Sequence, residues 1–291
     1  MLTLAVGIPT LGREEVLLET LECVLKQADA ADEVIVADQN SQHQPQTSAR
    51  LHELAAAGHI TVLHLPNPSL TAARNAILRA SCCDYVLFID DDVYLGPEFV
   101  GSYRKALNDA RAHVLAGAID ENGSGSSVEC HALFNDEDVV DLVRGANIAV
   151  ERNTALGLGG FDERFVGPAH GEEQDFAFRL LRCGKSVSYD GRLRLNHRRA
   201  PTGGCRVAGN VFWSDWQKPM NWLMFGFRYP AITKKWWWRR IWAALRCGPL
   251  LRENFHLTRQ PAAWGALAYA VVQAWLRKNE IRSSIQRSPS A

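Results

Sequence analysis

This chain lacks an apolar run of the ~18–20 residues that a helical membrane span needs. The nearest stretch, residues 262–276, is shorter and is interrupted by Gln273, so no transmembrane helix is expected. CxxC pairs are also lacking. The seven cysteines are an odd number, with Cys82 and Cys83 adjacent, a usage that argues against a zinc site or a disulfide framework. The first ten residues carry neither a basic n-region nor a cleavage site. No signal peptide is read there, and a reduced, cytoplasmic setting is expected. Neither common Gly-rich phosphate loop is present. Net charge is absent too, with 32 basic against 32 acidic residues, and no nucleic-acid partner is expected.

What is present is unevenly spread. Residues 192–291 hold 18 Lys+Arg and 3 Asp+Glu, a balance of +15, and residues 1–191 offset it at −15. All nine tryptophans fall between Trp213 and Trp275. The chain therefore has an acidic front and a basic, Trp-rich back. With the alternation of strands and helices ending after about Gly204, it is divided into a domain at 1–206 and a helical C-terminal region at 207–291. In "KKWWWRRIWAAL", Trp238, Ile241, Trp242 and Leu245 follow the spacing of one apolar helix face. Arg239, Arg240 and Arg246 lie off that face. A second apolar segment begins at Pro261, a residue suited to a first helical turn. Both are too short to span, so attachment to an anionic membrane surface, on its inner face, is expected. Packing on the chain's own N-terminal domain, or a dimer contact, is the alternative.

Residues 1–206 alternate short apolar runs with amphipathic ones. "LTLAVGIPT", "EVIVADQNS" and "HITVLHLP" read as strands, and "REEVLLETLECVLKQA" reads as a helix. Ser69 can cap a helix over "LTAARNAILRA". This pattern predicts an α/β fold with a mostly parallel, doubly wound sheet flanked by helices. In "YVLFIDDDVY" a run fit for a buried strand ends on Asp90, Asp91 and Asp92. Adjacent carboxylates repel one another and resist burial, and a hard divalent cation would turn them into a site. A solvated turn or a helix cap is the bland reading. Pro9, Asp38 and the three aspartates all fall at strand ends, where ligands sit in such sheets. "GLGGF" reads as a loop after a short helix and "NGSGSS" as a surface loop.

The ordered set "IPTLGR", "VADQNS", "NPSLTAARNAIL", "VLFIDDDV", "RGANIAVERNTALGLGGFDERF", "GEEQDFAFRLLRCG" and "NHRRAPTGGCR" resembles the family 2 glycosyltransferases, inverting enzymes of the GT-A fold. The resemblance spans about residues 2–206 and implies a nucleotide-sugar donor. It implies Pro9, Thr10, Arg13, Arg74 and Asn75 near the nucleotide, Asp38 at its base and Arg206 at the diphosphate. Asp92 matches the direct metal ligand, and Asp90 a contact to the ribose or to the metal's water. His197 matches a residue that can complete the metal site, and Asp91 is the middle residue of the motif. Gly145 and Asn147 would lie near the sugar and acceptor. The implied cofactor is Mn2+ or Mg2+.

"GEEQDFAFRL" departs from the family in carrying Glu173 where aspartate is usual. A carboxylate there would take the acceptor hydroxyl's proton. Asp175 is a second candidate for that role and Glu172 a third; acids that favour a helix N-terminus are the bland reading of all three. The reading is a metal-dependent inverting glycosyltransferase acting on a glycan or lipid-linked acceptor in polysaccharide biosynthesis. Its rivals are a nucleotidyltransferase and a non-catalytic membrane-associated scaffold.

Overall fold

The computed structural model describes residues 2–120, 131–132, 139, 142–167, 169–201, 203–204, 217–230 and 261–279. Its first half follows the alternation in the sequence. Strands β1 (Leu4–Thr10), β2 (Glu33–Asp38), β3 (Thr61–His64) and β4 (Tyr85–Ile89) are separated by α1 (Glu15–Leu25), α2 (Pro45–Ala56) and α3 (Leu70–Ala80). They pair in parallel in the order β3-β2-β1-β4. Parallel neighbours need crossover connections, and the three helices supply them. Ser69 caps α3, its hydroxyl accepting from the Ala72 N–H at 3.3 Å.

Beyond β4 the sheet is mixed. β5 (Val93–Leu95) follows β4 after three residues, too few for a crossover, and it pairs instead with β9 at the other end of the sheet. After β5 come α4 (Phe99–Ala110), β6 (Val114–Asp120), β7 (His131–Ala132), β8 (Asn147–Glu151), α5 (Arg152–Gly157), α6 (Glu172–Arg182) and β9 (Val187–His197). The complete order is β3-β2-β1-β4-β8-β6-β9-β5, with β7 also on β9. β8 runs antiparallel to both β4 and β6, while β6 and β9 are parallel.

Both faces of this sheet are covered, which is why its strands read as continuous apolar runs. Leu87 and Ile89 of β4 join a cluster with Leu17, Leu21, Val100 and Tyr103 from α1 and α4. Val86 and Phe88, pointing the other way, join Ile77, Phe161 and Phe176.

Two described helices belong to the C-terminal region, α7 (Gln217–Arg228) and α8 (Pro261–Leu276). Met220, Trp222, Met224 and Phe225 of α7 enter the same cluster as Phe176 and Phe178 of α6, and α8 adds Ala270 and Ala274. The described part of 207–291 thus shares a core with the preceding domain. The tryptophans there serve two ends. Trp222 is buried, whereas Trp275 is 55% exposed, beside Tyr269, Val272 and Leu276 on the outer face of α8. Among the described residues no helix is long and apolar enough to cross a membrane. The stripe read at Trp238–Leu245 and the loop at 122–127 lie outside the described residues.

Candidate active site

The three aspartates fill the short link between β4 and β5. Thr20, buried on α1, holds that link: its hydroxyl lies 3.1 Å from the Asp91 carbonyl and 3.2 Å from the Val93 N–H. β5 then pairs Val93 with His197, the last residue of β9. This register brings a histidine more than a hundred residues away against the aspartates. His197 Nε2 lies 3.2 Å from Asp90 Oδ2 and 3.2 Å from Asp92 Oδ1. One ligand atom from each of Asp90, Asp92 and His197 falls within 4.8 Å of the others.

The donor set suits a hard or borderline divalent cation, two carboxylates and one imidazole. Hydrogen bonds donated to Asp90 and then Asp92 push the His197 imidazole up to about 10, so its imidazolium offsets the two carboxylates. A metal-binding imidazole must be neutral, so a cation held here would compete with a proton and bind more weakly as pH falls. Burial would raise the Asp92 carboxyl, yet it is held below its ordinary value. His197, Arg13 and the Ala200 N–H outweigh the burial.

Asp91 turns the other way. It is buried, bonded to the Thr10 hydroxyl at 2.8 Å and to Arg13 Nε at 3.1 Å. Burial nevertheless pushes it up to about 6 against those partners. Arg13 also reaches Asp92 Oδ2 at 2.9 Å and is itself buried. Of the three residues expected at the nucleotide, Thr10 and Arg13 brace the aspartate link from β1 and the loop after it, while Pro9 lies within β1 in register with Ala37 of β2. The sequence offered no sign of this, because Arg13 and Asp92 are 79 residues apart.

Asp38 ends β2 as expected and is 1% exposed. Asn40 donates to its Oδ1, by backbone at 3.0 Å and by side chain at 2.8 Å. His43 Nε2 and His64 Nδ1 approach its Oδ2 at 3.2 and 3.3 Å. Neither histidine stood out in the sequence; His43, five residues beyond Asp38 in a polar loop, was the more legible.

The acids at the start of α6 separate cleanly. Gly171, at φ 91°, opens the helix in a conformation that disfavours other residues. Glu172 is buried and paired with Arg74, whose guanidinium lies 5.9 Å from the Phe88 ring centroid and 5.4 Å from that of Phe161. Asp175 is fully buried. Its Oδ2 meets Arg179 at 2.8 Å, and its Oδ1 meets Arg228 at 2.7 Å and the Tyr229 hydroxyl at 2.8 Å. Both are sealed in buried ion pairs. Glu173 alone of the three is partly exposed. Burial raises its carboxyl above the ordinary value; Arg74 opposes this, Asp90 adds to it, and the Gly145 backbone bonds to it.

The Gly145 backbone thus lies against an acid of α6. A side chain there would strike the Arg74 guanidinium. Arg74 and Asn75 do not extend outward from α3. Asn75 clamps the loop before α6, donating to the Phe161 carbonyl at 2.8 Å and accepting from the Phe161 N–H at 2.8 Å. Asn147 is the clearest departure from expectation. It is fully buried in β8, where the Tyr103 hydroxyl donates to its Oδ1 at 2.7 Å and its amide donates to the carbonyls of Ala118 and Leu193. Those carbonyls flank the register shift between β6 and β9, and Asn147 satisfies them there. Contact with a sugar would require breaking that network. Arg206 lies outside the described residues.

Residues 5–147 match the family model described as Glycosyl transferase family 2. The chondroitin synthase of Escherichia coli is 27% identical over 227 residues, an alignment covering 62% of this chain and 32% of that protein. The chain thus spans about a third of the length of this curated relative. Among solved structures, S. aureus TarS (residues 1–349) with UDP-GlcNAc superposes with a TM-score of 0.66 at 16% identity. It covers 94% of this chain and 81% of its own. The mannosyltransferase PcManGT of Pyrobaculum calidifontis, with GDP-Man and Mn2+, gives 0.57 at 16% identity, covering 94% and 86%. These two likenesses show the fold.

Proposed function

From a chain that carries a glycosyltransferase family 2 domain on the GT-A fold, we propose an inverting transferase that is divalent-metal dependent. It moves a sugar from a nucleotide-sugar donor to a hydroxyl acceptor. The observation that carries this reading is the placement of Glu173. It is the partly exposed acid of α6, and Asp90 of the cation-ligating cluster is close enough for its charge to act on it.

Glu173 takes the acceptor's proton as the hydroxyl oxygen attacks the anomeric carbon. One displacement needs one catalytic carboxylate, whereas a glycosidase uses two. A carboxyl raised by burial is a stronger base near neutral pH than an ordinary one. Asp92, Asp90 and His197 would hold Mn2+ or Mg2+, which when bound supplies Lewis-acid stabilisation of the departing nucleoside diphosphate. Asp38, framed by His43 and His64, meets the base of the nucleotide, and Arg206 meets the diphosphate. The ligands named for the two structural neighbours, UDP-GlcNAc and GDP-Man with Mn2+, support the donor class and the metal. The likeness to a chondroitin synthase supports a glycan acceptor.

A thermal-shift screen of nucleoside diphosphates with Mn2+ tests the donor site. Binding at a hundred times Kd stabilises a protein by ~2.7 kcal/mol, so the matching nucleotide should give a clear rise in Tm that depends on the metal. Equal melting with every nucleotide, with and without metal, sinks the reading.

The same proposal places the chain on an anionic membrane surface, at its cytoplasmic side. It is supported by the +15 balance of residues 192–291 and by the outer face of α8. There Tyr269, Val272, Trp275 and Leu276 are exposed, and Lys278 Nζ lies 4.1 Å from the Trp275 ring centroid. In liposome flotation, the wild type should rise with anionic vesicles and not with neutral ones. Val272→Asp with Leu276→Asp should weaken that binding. Wild-type protein left in the soluble fraction with anionic vesicles rules out attachment.

A further inference from the structure

Arg228, the last residue of α7, has a side chain with no exposure. Its guanidinium joins α7 to three other parts of the chain. Nη1 meets Asp175 Oδ1 at 2.7 Å and Nη2 meets Asp162 Oδ2 at 2.7 Å. Nε donates to the Lys278 carbonyl at 2.9 Å, and Nη2 donates to the Arg277 carbonyl at 2.8 Å. The group also lies 5.2 Å from the Phe165 ring centroid. None of these contacts takes part in the chemistry described above.

Each partner has a defined place. Asp175 is in the first turn of α6, two residues beyond Glu173, and Arg179 holds its other oxygen. Asp162 belongs to the loop that Asn75 clamps at Phe161. The carbonyls of Arg277 and Lys278 directly follow α8, where a helix leaves its last carbonyls without partners inside the helix. They come within reach of Arg228 only while α8 is docked, with Ala270 and Ala274 buried against the core. An arginine presents a rigid fork of donors. Here that fork is shared between the end of α8 and the start of α6.

We propose that Arg228 is a positioning residue that links the docking of α8 to the orientation of the helix bearing Glu173. The inference rests on Glu173 being the base. With α8 in place, Asp175 is fixed from both sides and α6 cannot roll about its axis. With α8 lifted, the guanidinium loses two acceptors and Asp175 is no longer pinned against a fixed point. A shift of about 1 Å at a catalytic group costs roughly a hundredfold in rate. A surface event at the outer face of α8 would then reach the active site through one side chain.

Ala274→Trp tests the link without touching Arg228, Glu173 or the metal-binding acids. Ala274 is fully buried, so an indole there wedges α8 off its seat. Hydrogen exchange should rise in peptides from 261–279 and also from 172–182. Transfer kcat should fall about tenfold or more, and nucleoside diphosphate affinity with Mn2+ should stay within about twofold. Arg228→Lys keeps the charge but loses the fork, and should give the same split between kcat and affinity. Exchange that rises in 261–279 while 172–182 and kcat stay at wild type overturns the proposal. So does protection lost across the whole chain in both variants, because a link predicts a change confined to α6 and α8. If exchange couples as expected but Glu173→Gln retains full transfer, the link stands and the base assignment falls.

Discussion

Asp92→Asn should abolish metal-dependent transfer while leaving a folded protein. Asp92 is 1% exposed and uses both oxygens: Oδ1 faces His197 at 3.2 Å, and Oδ2 receives Arg13 at 2.9 Å and the Ala200 N–H at 2.8 Å. An amide in its place removes the charge and can accept at one atom only. Loss of supports one step removed from a metal already costs ~10–100-fold in affinity or activity, so loss of a ligand should cost at least that. Isothermal titration with Mn2+ reads the affinity directly, and transfer should fall by at least about a hundredfold. The fold should persist, because Arg13 keeps Asp91 and the Ala200 carbonyl as partners. Wild-type turnover with unchanged metal dependence in this variant would remove Asp92 from the site.

Glu173→Gln should stop transfer at the chemical step. A lost general base costs ~10²–10⁴ in rate, and donor affinity should hold because the base acts on the acceptor. The pH profile gives a second reading. Burial sets the Glu173 carboxyl above its ordinary 4.5, with Asp90 contributing in the same direction. A base works only when deprotonated. Transfer should therefore fall as pH drops through that raised value, and the acid limb of kcat/KM should lie above the usual carboxylate range. With Mn2+ kept saturating at every pH, the Gln variant should lack this limb. Asp175→Asn should behave differently. It weakens the hold on two buried arginines, a change of the kind that costs ~3–5 kcal/mol, and should show as a lower Tm. If Asp175→Asn is inactive at wild-type stability while Glu173→Gln is active, the base is Asp175.

The two acid clusters were legible in the sequence because each is written locally. A buried apolar run that ends in three aspartates predicts a strand end, and β4 ends at Ile89 just before Asp90. "GEEQDFAFRL" predicts a helix start, and α6 begins at Glu172. The parallel half of the sheet was legible for the same reason, since period and turn residues are short-range signals. Which acid of a cluster is sealed, and by what, was not. In "GEEQD" three acids share one turn, and their division of labour comes from what faces each of them. Arg74, 98 residues before Glu172, takes the first, and Arg228, 53 residues beyond Asp175, takes the last.

By itself, then, the sequence determined where strands end, where helices begin and which residue types gather there, because hydrophobic periodicity and capping act over a few residues. Only the tertiary structure decided which of those residues are exposed to the site and which are sealed. Pairing β5 with β9 set His197 beside Asp90 and Asp92, and the register shift between β6 and β9 closed over Asn147. The docking of α7 and α8 supplied Arg228 to Asp175. A buried charge or amide must find its partner wherever the fold brings one, and that partner was in each case dozens of residues away along the chain.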